Sequence, residues 1–410
     1  MRHPGSHQRG KLVRALGATL LAISILDPLM AAQPQVPALP TEPLGYVKYA
    51  GEDMPAHFKF GAVAARDNTP ADNLISDAGA TLGRVLFYDT RLSHDNGTAC
   101  ASCHQQATGF SDPEPVSEGI DGQLGTRHSM ALANSRYYIT GAMFWDERAE
   151  SLEAQAIAQF ERAMVSYQSK YDTAFAPGST TPQFDQVFTA DELAGEQLFH
   201  GAGRCSGCHT TEAHVGELVS NIGLEVEPVD EGVGEGRFKT PSLRNIAVRG
   251  RFMHDGRFST LQEVVEFYNI GVQDNPALDE SLRNPLQLGL TEQEVLQLVA
   301  FMETLTDETF LTSELFSDPF VTLPGDYNGD GEVDDSDFEV WRTNYGDTEL
   351  LTADGNNDGL VDAADYTIWR DSVGLTWESL TPVADITTAA PEPSSLVLVG
   401  LALVAVSRRR

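Results

Sequence analysis

Cysteine is almost missing from this chain: of 410 residues only Cys100, Cys103, Cys205 and Cys208 are cysteine, so no disulfide framework can span it. Cations are scarce as well. Lys and Arg number 27 against 60 Asp and Glu, a net charge of -33, which argues against nucleic acid and anionic membrane surfaces as partners. Long apolar runs are confined to the ends. Leu16 to Leu29 follows a basic start at Arg2, Arg9, Lys11 and Arg14, and Leu396 to Val406 has 11 residues, where a spanning helix needs about 20. No alternating apolar run of strand length stands out, which points to a mainly α chain.

The four cysteines fall into two pentads, Cys100-Ala-Ser-Cys103-His104 and Cys205-Ser-Gly-Cys208-His209. Two thiols three residues apart can form thioethers to the two vinyl groups of one haem, and the adjacent imidazole then reaches the iron. A zinc knuckle or disulfides are the alternatives, but zinc ligands must converge on one metal. The reading is two covalently bound haem c groups. An iron held by His104 or His209 has one face left, and its occupant decides between electron transfer and peroxide chemistry. Candidates for that face are His57, His94, His128, His200, His214 and His254, with Met54, Met130, Met143, Met164, Met253 and Met302.

Helices can be placed coarsely between Val36 and Leu311. Thr189-x-x-Glu192 is a capping box opening a helix through Phe199, with Phe188 set for a hydrophobic staple. Leu152, Ala156, Phe160, Met164 and Tyr167 predict a helix over Glu150 to Tyr167, and Val295, Leu298, Val299 and Met302 predict one over Thr291 to Leu305. Thr260-x-x-Glu263 opens another, on which Leu261, Val264, Val265 and Tyr268 share a face.

From Ser313 to Glu392 there are 19 acidic residues against only Arg342 and Arg370. Within that stretch a 12-residue loop recurs at an offset of 28. Asp326, Asn328, Asp330, Asp334 and Asp337 supply oxygens at loop positions 1, 3, 5, 9 and 12, matched by Asp354, Asn356, Asp358, Asp362 and Asp365. Gly331 and Gly359 hold position 6, and Glu332 and Leu360 would offer position-7 carbonyls. This is the pattern of a calcium loop, so two calcium ions are expected. Each loop precedes a short helix, Phe338 to Arg342 and Tyr366 to Arg370, and the pair resembles a dockerin module, which implies a cohesin-like or other surface partner. An unliganded acidic linker is the alternative. Met30-Ala31-Ala32 is a cleavage region, and Pro391-Glu392-Pro393, the apolar run and Arg408 to Arg410 resemble a PEP-CTERM sorting signal; a short membrane anchor is the alternative there.

Leu82 to Asp89, Leu92-Ser93, the first pentad, Gly109-Phe110, Phe144-Trp145-Asp146-Glu147-Arg148, the second pentad, Thr240-Pro-Ser-Leu-Arg244-Asn245 and Met253-His254-Asp255-Gly256-Arg257-Phe258 stand in one order. That order resembles the bacterial dihaem cytochrome c peroxidases. The resemblance implies a peroxide site at the first haem, an electron-accepting second haem and Trp145 between them. It implies hydrogen peroxide as substrate and a small cytochrome or copper protein as electron donor. Residue 268, 14 after His254, is the position of a methionine ligand in that family; Tyr268 there is similar to the MauG-like branch, whose members oxidise a protein or small donor.

One departure matters. Cys100 and Cys205 lie only 105 residues apart, because a long segment that in the family follows the Trp145 region and supplies a catalytic glutamate is absent. Gln155 matches the distal glutamine, Glu161 is a nearby substitute for the acid, and His128 stands at the position of an interdomain calcium ligand. The expected organisation is a signal peptide over 1–32, two c-type cytochrome-like haem domains over 36–186 and 187–312, a dockerin-like calcium module over 320–376, a linker over 377–392 and the sorting signal over 393–410. The expected protein is exported to the periplasm or cell surface and meets a membrane only through its C-terminal signal. A peroxidase with a shortened distal pocket is the first expectation. A dihaem electron-transfer cytochrome and a calcium-dependent surface protein are the other two.

Overall fold

The structure, a computed structural model, describes residues 37–39, 42–94, 96–152, 157–320, 323–348, 352–356 and 358–376. The expected signal peptide and linker, the sorting signal and Gln155 lie outside the described residues. Among the described residues the longer elements are helices: α1 (Asp77–Tyr88), α2 (Cys100–Cys103), α3 (Ala158–Ala163), α4 (Ala190–His200), α5 (Leu261–Glu266), α6 (Glu292–Glu303), α7 (Asp335–Asn344) and α8 (Ala363–Ser372). The regular strands among them are β1 (Val219–Ser220) and β2 (Phe238–Lys239), paired antiparallel with Val219 opposite Lys239. No described helix is long and apolar enough to cross a membrane.

Local chemistry starts most of these helices. Thr189, Thr260 and Thr291 each accept a hydrogen bond from the N–H of the glutamate three residues on, and that glutamate caps the threonine N–H in return. Two orphan donors are satisfied at each end. The helix predicted over 150–167 is the exception: among its described residues α3 is the α-helical part, and it ends at Ala163. Asn134 Oδ1 takes the Ser166 N–H at 2.9 Å, and Asp307 Oδ2 takes those of Tyr167 and Gln168 at 2.9 and 2.8 Å. Distant side chains thus claim the donors that a helix would have used.

Helix pairs build two cores. α1 packs on α3 at Gly83, where a Cβ would lie 2.7 Å from that of Phe160. Around them Tyr46, Phe87, Phe110, Phe160, Phe310 and Phe316 form a first, aromatic core, with edge-on and tilted rings at 4.9–6.4 Å. α4 packs on α6 at Gly195, where a side chain would collide with the Gln297 carbonyl. Phe199, Leu261, Val265, Val295, Leu298 and Phe301 fill the second core. The chain crosses between them: Tyr171 and Phe175 belong to the second core, while Phe310, Leu311 and Phe316 return to the first.

The acidic segment folds as two matched halves. Asp334 and Asp362 cap α7 and α8, and Gly331 and Gly359 take φ of 89° and 87°, as the sharp turn of the loop requires. Asp326 accepts from Gly331 N–H and Asp354 from Gly359 N–H, at 3.0 and 2.8 Å. Each half completes the other: Trp341 donates to the Asp362 carbonyl and Trp369 to that of Asp334, at 2.7 and 2.8 Å.

A buried ion pair ties the two cores. Arg244, wholly buried, reaches both oxygens of Asp172, which also accepts from His57 Nε2 at 2.9 Å. Burial opposes ionisation of Asp172, but Arg244 and His57 hold it well below the usual carboxylate range. Asp172→Ala is expected to cost about 3–5 kcal/mol, because it strands Arg244 without its counter-ion, and thermal unfolding measures it. As the folded value is depressed, the contribution is whole above the ordinary carboxylate range, about pH 4, and is lost as pH falls from there toward the folded value. A wild-type/variant difference that stayed constant through that window would contradict this.

Candidate active site

Both pentads are shaped by the same turn. His104 N–H donates to Cys100 O at 3.0 Å, and His209 N–H to Cys205 O at 2.9 Å, so each imidazole stands one helical turn beyond the first cysteine of its pair. Each ring nitrogen Nδ1 faces a carbonyl, Phe110 O at 2.9 Å for His104 and His214 O at 3.4 Å for His209. A carbonyl only accepts, so Nδ1 carries the proton and Nε2 keeps its lone pair. Burial lowers the His104 pKa and pushes that of His209 down to about 4. Two buried, neutral imidazoles beside paired thiols fit covalent haem at both sites.

The second site is a cavity lined by Cys205, Cys208, His209 and Tyr268, with Phe199, Ile246, Phe252, Leu298 and Met302 among its apolar wall. Tyr268 sits in the one-turn π-helix Phe267–Gly271 that continues α5. Burial raises its hydroxyl pKa first, and the Cys208 and Cys205 sulfurs add to the rise. The tyrosine and the second pentad thus share one space.

Trp145 and His128 also line that cavity. The Trp145 indole N–H donates to His128 O at 2.7 Å, and Lys239 N–H on β2 donates to Trp145 O at 2.9 Å. His128 is 4 % exposed, and its Nδ1 faces Glu114 O at 3.1 Å. Burial lowers its pKa, and among the smaller effects is that of His104. His128 thus lines the cavity of the second pentad, feels the charge of His104, and carries Trp145 on its carbonyl.

The first site carries an acid. Glu161 on α3 is 3 % exposed, and its Oε2 has no hydrogen-bond partner. Burial raises its pKa to about 8, against the pull of Lys239 and Arg162. Its charge is in turn felt at Cys100, whose thiol is raised by burial first and by Glu161 second. Lys239 is buried too, with Nζ donating to Ala142 O at 2.8 Å and lying 3.9 Å from the centre of the Tyr138 ring. Burial lowers its pKa to about 7, while Glu147 and Glu161 work the other way. Nothing in the sequence marks Lys239: its position before Thr240-Pro241 is visible, but its burial is set by Ala142, Met143 and Tyr138, about a hundred residues away.

The predicted calcium residues are in place but are satisfied locally. Asp337 and Asp365, both fully buried, accept backbone N–H groups, Asn328 and Asp334 for the first, Gly355 and Asp362 for the second, at 2.7–2.8 Å. Asp326 Oδ1 is buried and unpartnered. Among the described residues no three His, Cys, Asp or Glu side chains converge on a metal point.

Comparison with known proteins agrees with this geometry. The sequence profile of the di-haem cytochrome c peroxidases matches residues 77–158, and that of the PEP-CTERM protein-sorting motif matches 389–410. The chain is 30% identical over 342 residues to the cytochrome-c peroxidase IdrP1 of Denitromonas iodatirespirans, covering 63% of this chain and 88% of the relative. It is 30% identical over 365 residues to the methylamine utilization protein MauG of Paracoccus denitrificans, covering 61% and 92%. Among solved structures, a MauG-like protein associated with microbial copper homeostasis shares 29% identity at a TM-score of 0.52, covering 61% of this chain and 95% of that one. The fold and the paired pentads are thus those of a dihaem, peroxidase-type oxidoreductase. The chain belongs to the dihaem cytochrome c peroxidase/MauG family, and it carries the sorting motif of an exported protein.

Proposed function

We propose that this protein reduces hydrogen peroxide to water at the His104 site, with two electrons entering at the His209 site from a small cytochrome or copper protein. The observation that carries the reading is Glu161, a buried carboxyl with a free oxygen beside the first pentad. When bound through Cys100, Cys103 and His104, and through Cys205, Cys208 and His209, haem supplies the redox chemistry. The chain's own groups do the rest. Peroxide cleavage requires a proton moved to the departing oxygen, and a carboxyl raised to about 8 is protonated at neutral pH and can donate it. Gln155 is assigned to the same pocket by resemblance alone. Trp145 and His128 offer a packed path between the sites. Tyr268 would face the second iron as an anionic donor, which suits the MauG-like variant of the reaction, oxidation of a protein or small donor.

A second reading, an electron-transfer cytochrome with both iron faces filled, is favoured by His128, whose Nδ1 faces the Glu114 carbonyl and which feels the charge of His104. The spin state of the first haem decides between them: high-spin and cyanide-binding for the peroxidase, low-spin and inert for the carrier. The division into haem domains at 36–186 and 187–312, the dockerin-like module at 320–376, its two calcium ions and a cohesin-like surface partner complete the proposal. The free Asp326 Oδ1 supports calcium binding.

Glu161→Gln is expected to lower peroxide turnover by roughly 10²–10⁴-fold, the usual share of a positioned acid or base. Because the protonated form is the donor, wild-type activity should fall as pH rises through about 8, and that limb should vanish in the variant. Unchanged turnover with the limb intact would remove Glu161 from the site. Tyr268→Met should raise the midpoint potential of the second haem in spectroelectrochemical titration, since a neutral thioether favours ferrous iron more than phenolate does; an unmoved potential would make Tyr268 a wall residue. Calcium should raise the unfolding temperature of the 326–375 segment without moving the haem spectrum, because an ion relieves repulsion among its carboxylates. Identical melting in calcium and in chelator would leave that segment an acidic spacer.

A further inference from the structure

The wall of the second cavity is charged with one sign only. Arg204, Lys239, Arg249 and Arg251 line it, and among the described residues no aspartate or glutamate does, although the chain carries 60 acidic residues. Isolated charge in an apolar interior is costly, so buried charges are normally paired. The four differ in what satisfies them. Arg204 donates both terminal nitrogens to carbonyls, Ser281 O at 2.5 Å and Pro285 O at 2.6 Å. Lys239 has Ala142 O, the Tyr138 ring and the field of Glu147 and Glu161.

Arg249, like Arg204, is met by carbonyls alone, and both leave a buried Nε without a partner. Arg249 is 8 % exposed, and one terminal nitrogen reaches Ser242 O and Arg244 O at 2.8 and 2.7 Å. Its Nε is buried with no partner, and no carboxylate among the described residues offsets the charge of the guanidinium. Burial alone drives its pKa down, to about 9. It lines the cavity together with His209 and His128, and its charge reaches both. The Arg251 guanidinium, two residues on, lines the same cavity and has no partner among the described residues.

We propose that Arg249 and Arg251 form a carboxylate-binding site whose ligands are the two propionate groups of the haem attached at Cys205 and Cys208. The inference rests on the dihaem reading above and deepens it. An arginine fork matches a carboxylate with two parallel N–H donors, and the haem is the one carboxylate-bearing group that this cavity is built to take. The missing counter-ion of Arg249 is therefore brought by the cofactor. Pairing also sets redox behaviour: a cation neutralising a propionate disfavours the extra positive charge of ferric iron, so its loss stabilises the oxidised state.

The test uses holoprotein produced with a haem-maturation system and shown by pyridine haemochrome assay to carry two haems. Arg249→Gln and Arg251→Gln should each lower the midpoint potential of the second haem and shift its propionate bending bands in resonance Raman spectra. Arg249→Lys should restore most of the potential while leaving the bands displaced, because it returns the charge without the fork. Arg342→Gln, which removes one cation from the distant α7, should change neither. Two haems with potential and bands unmoved in both glutamine variants would overturn the proposal. A haemochrome count below two in the wild-type protein would instead overturn the dihaem reading. If Arg249→Gln alone fails to accumulate with haem, Arg251→Gln and Arg249→Lys carry the same readouts.

Discussion

The pair formed by Asp172 and Arg244 is the contact on which the second site depends. Arg244 spends every donor inside the protein: on Asp172, on Ser169 Oγ at 3.0 Å, and on Glu212 O through Nε and Nη2 at 3.1 and 2.6 Å. Glu212 lies in the loop that follows the second pentad, and its carbonyl also faces His214 Nδ1 at 3.1 Å. The carbonyl of that same His214 fixes the proton of His209. One guanidinium therefore sets, through two backbone carbonyls, which nitrogen of the iron-binding imidazole keeps its lone pair. His57, stacked on Phe175 at 3.8 Å, brings the first core into the same network. Such a charge pair contributes less by its Coulomb attraction than by making any other arrangement costly.

Five residues separate Arg244 from Arg249, and the two show opposite solutions to one problem. The first is buried with its partners in the chain; the second is buried with a gap where a partner belongs. The chain is acidic overall and buries acids elsewhere, Glu161 and Asp172 among them, yet among the described residues the charged side chains of the cavity wall are cations.

The parts legible in the sequence are those decided within a few residues. Thr189, Thr260 and Thr291 begin helices because their capping partners are three positions away. The pentads declare themselves because covalent attachment needs contiguous residues, and the paired loops because each repeats its acidic and glycine positions within twelve residues. Illegibility begins where a distant group intervenes. The apolar spacing over 150–167 is a valid helical pattern, overruled by Asn134 and Asp307. Glu161 is nominated in the sequence only by its nearness to the missing acid, and its burial shows only in the fold. Lys239 and Arg249 read as surface cations for the same reason, since burial is a property of neighbours brought from elsewhere in the chain.

The exchange of tryptophan hydrogen bonds between the two C-terminal halves has a consequence for what counts as a unit. Trp341 closes on Asp362 and Trp369 on Asp334, while Gly346 N–H meets Val361 O and Gly374 N–H meets Val333 O, both at 2.8 Å. Neither half can satisfy its own indole or its own turn. A chain cut between them would leave two fragments, each with an unmet donor and half a core around Tyr327, Ala353 and Val361. The 28-residue repeat seen in the sequence is thus a unit of description only; the smallest piece that can be transplanted, lost or folded is the pair.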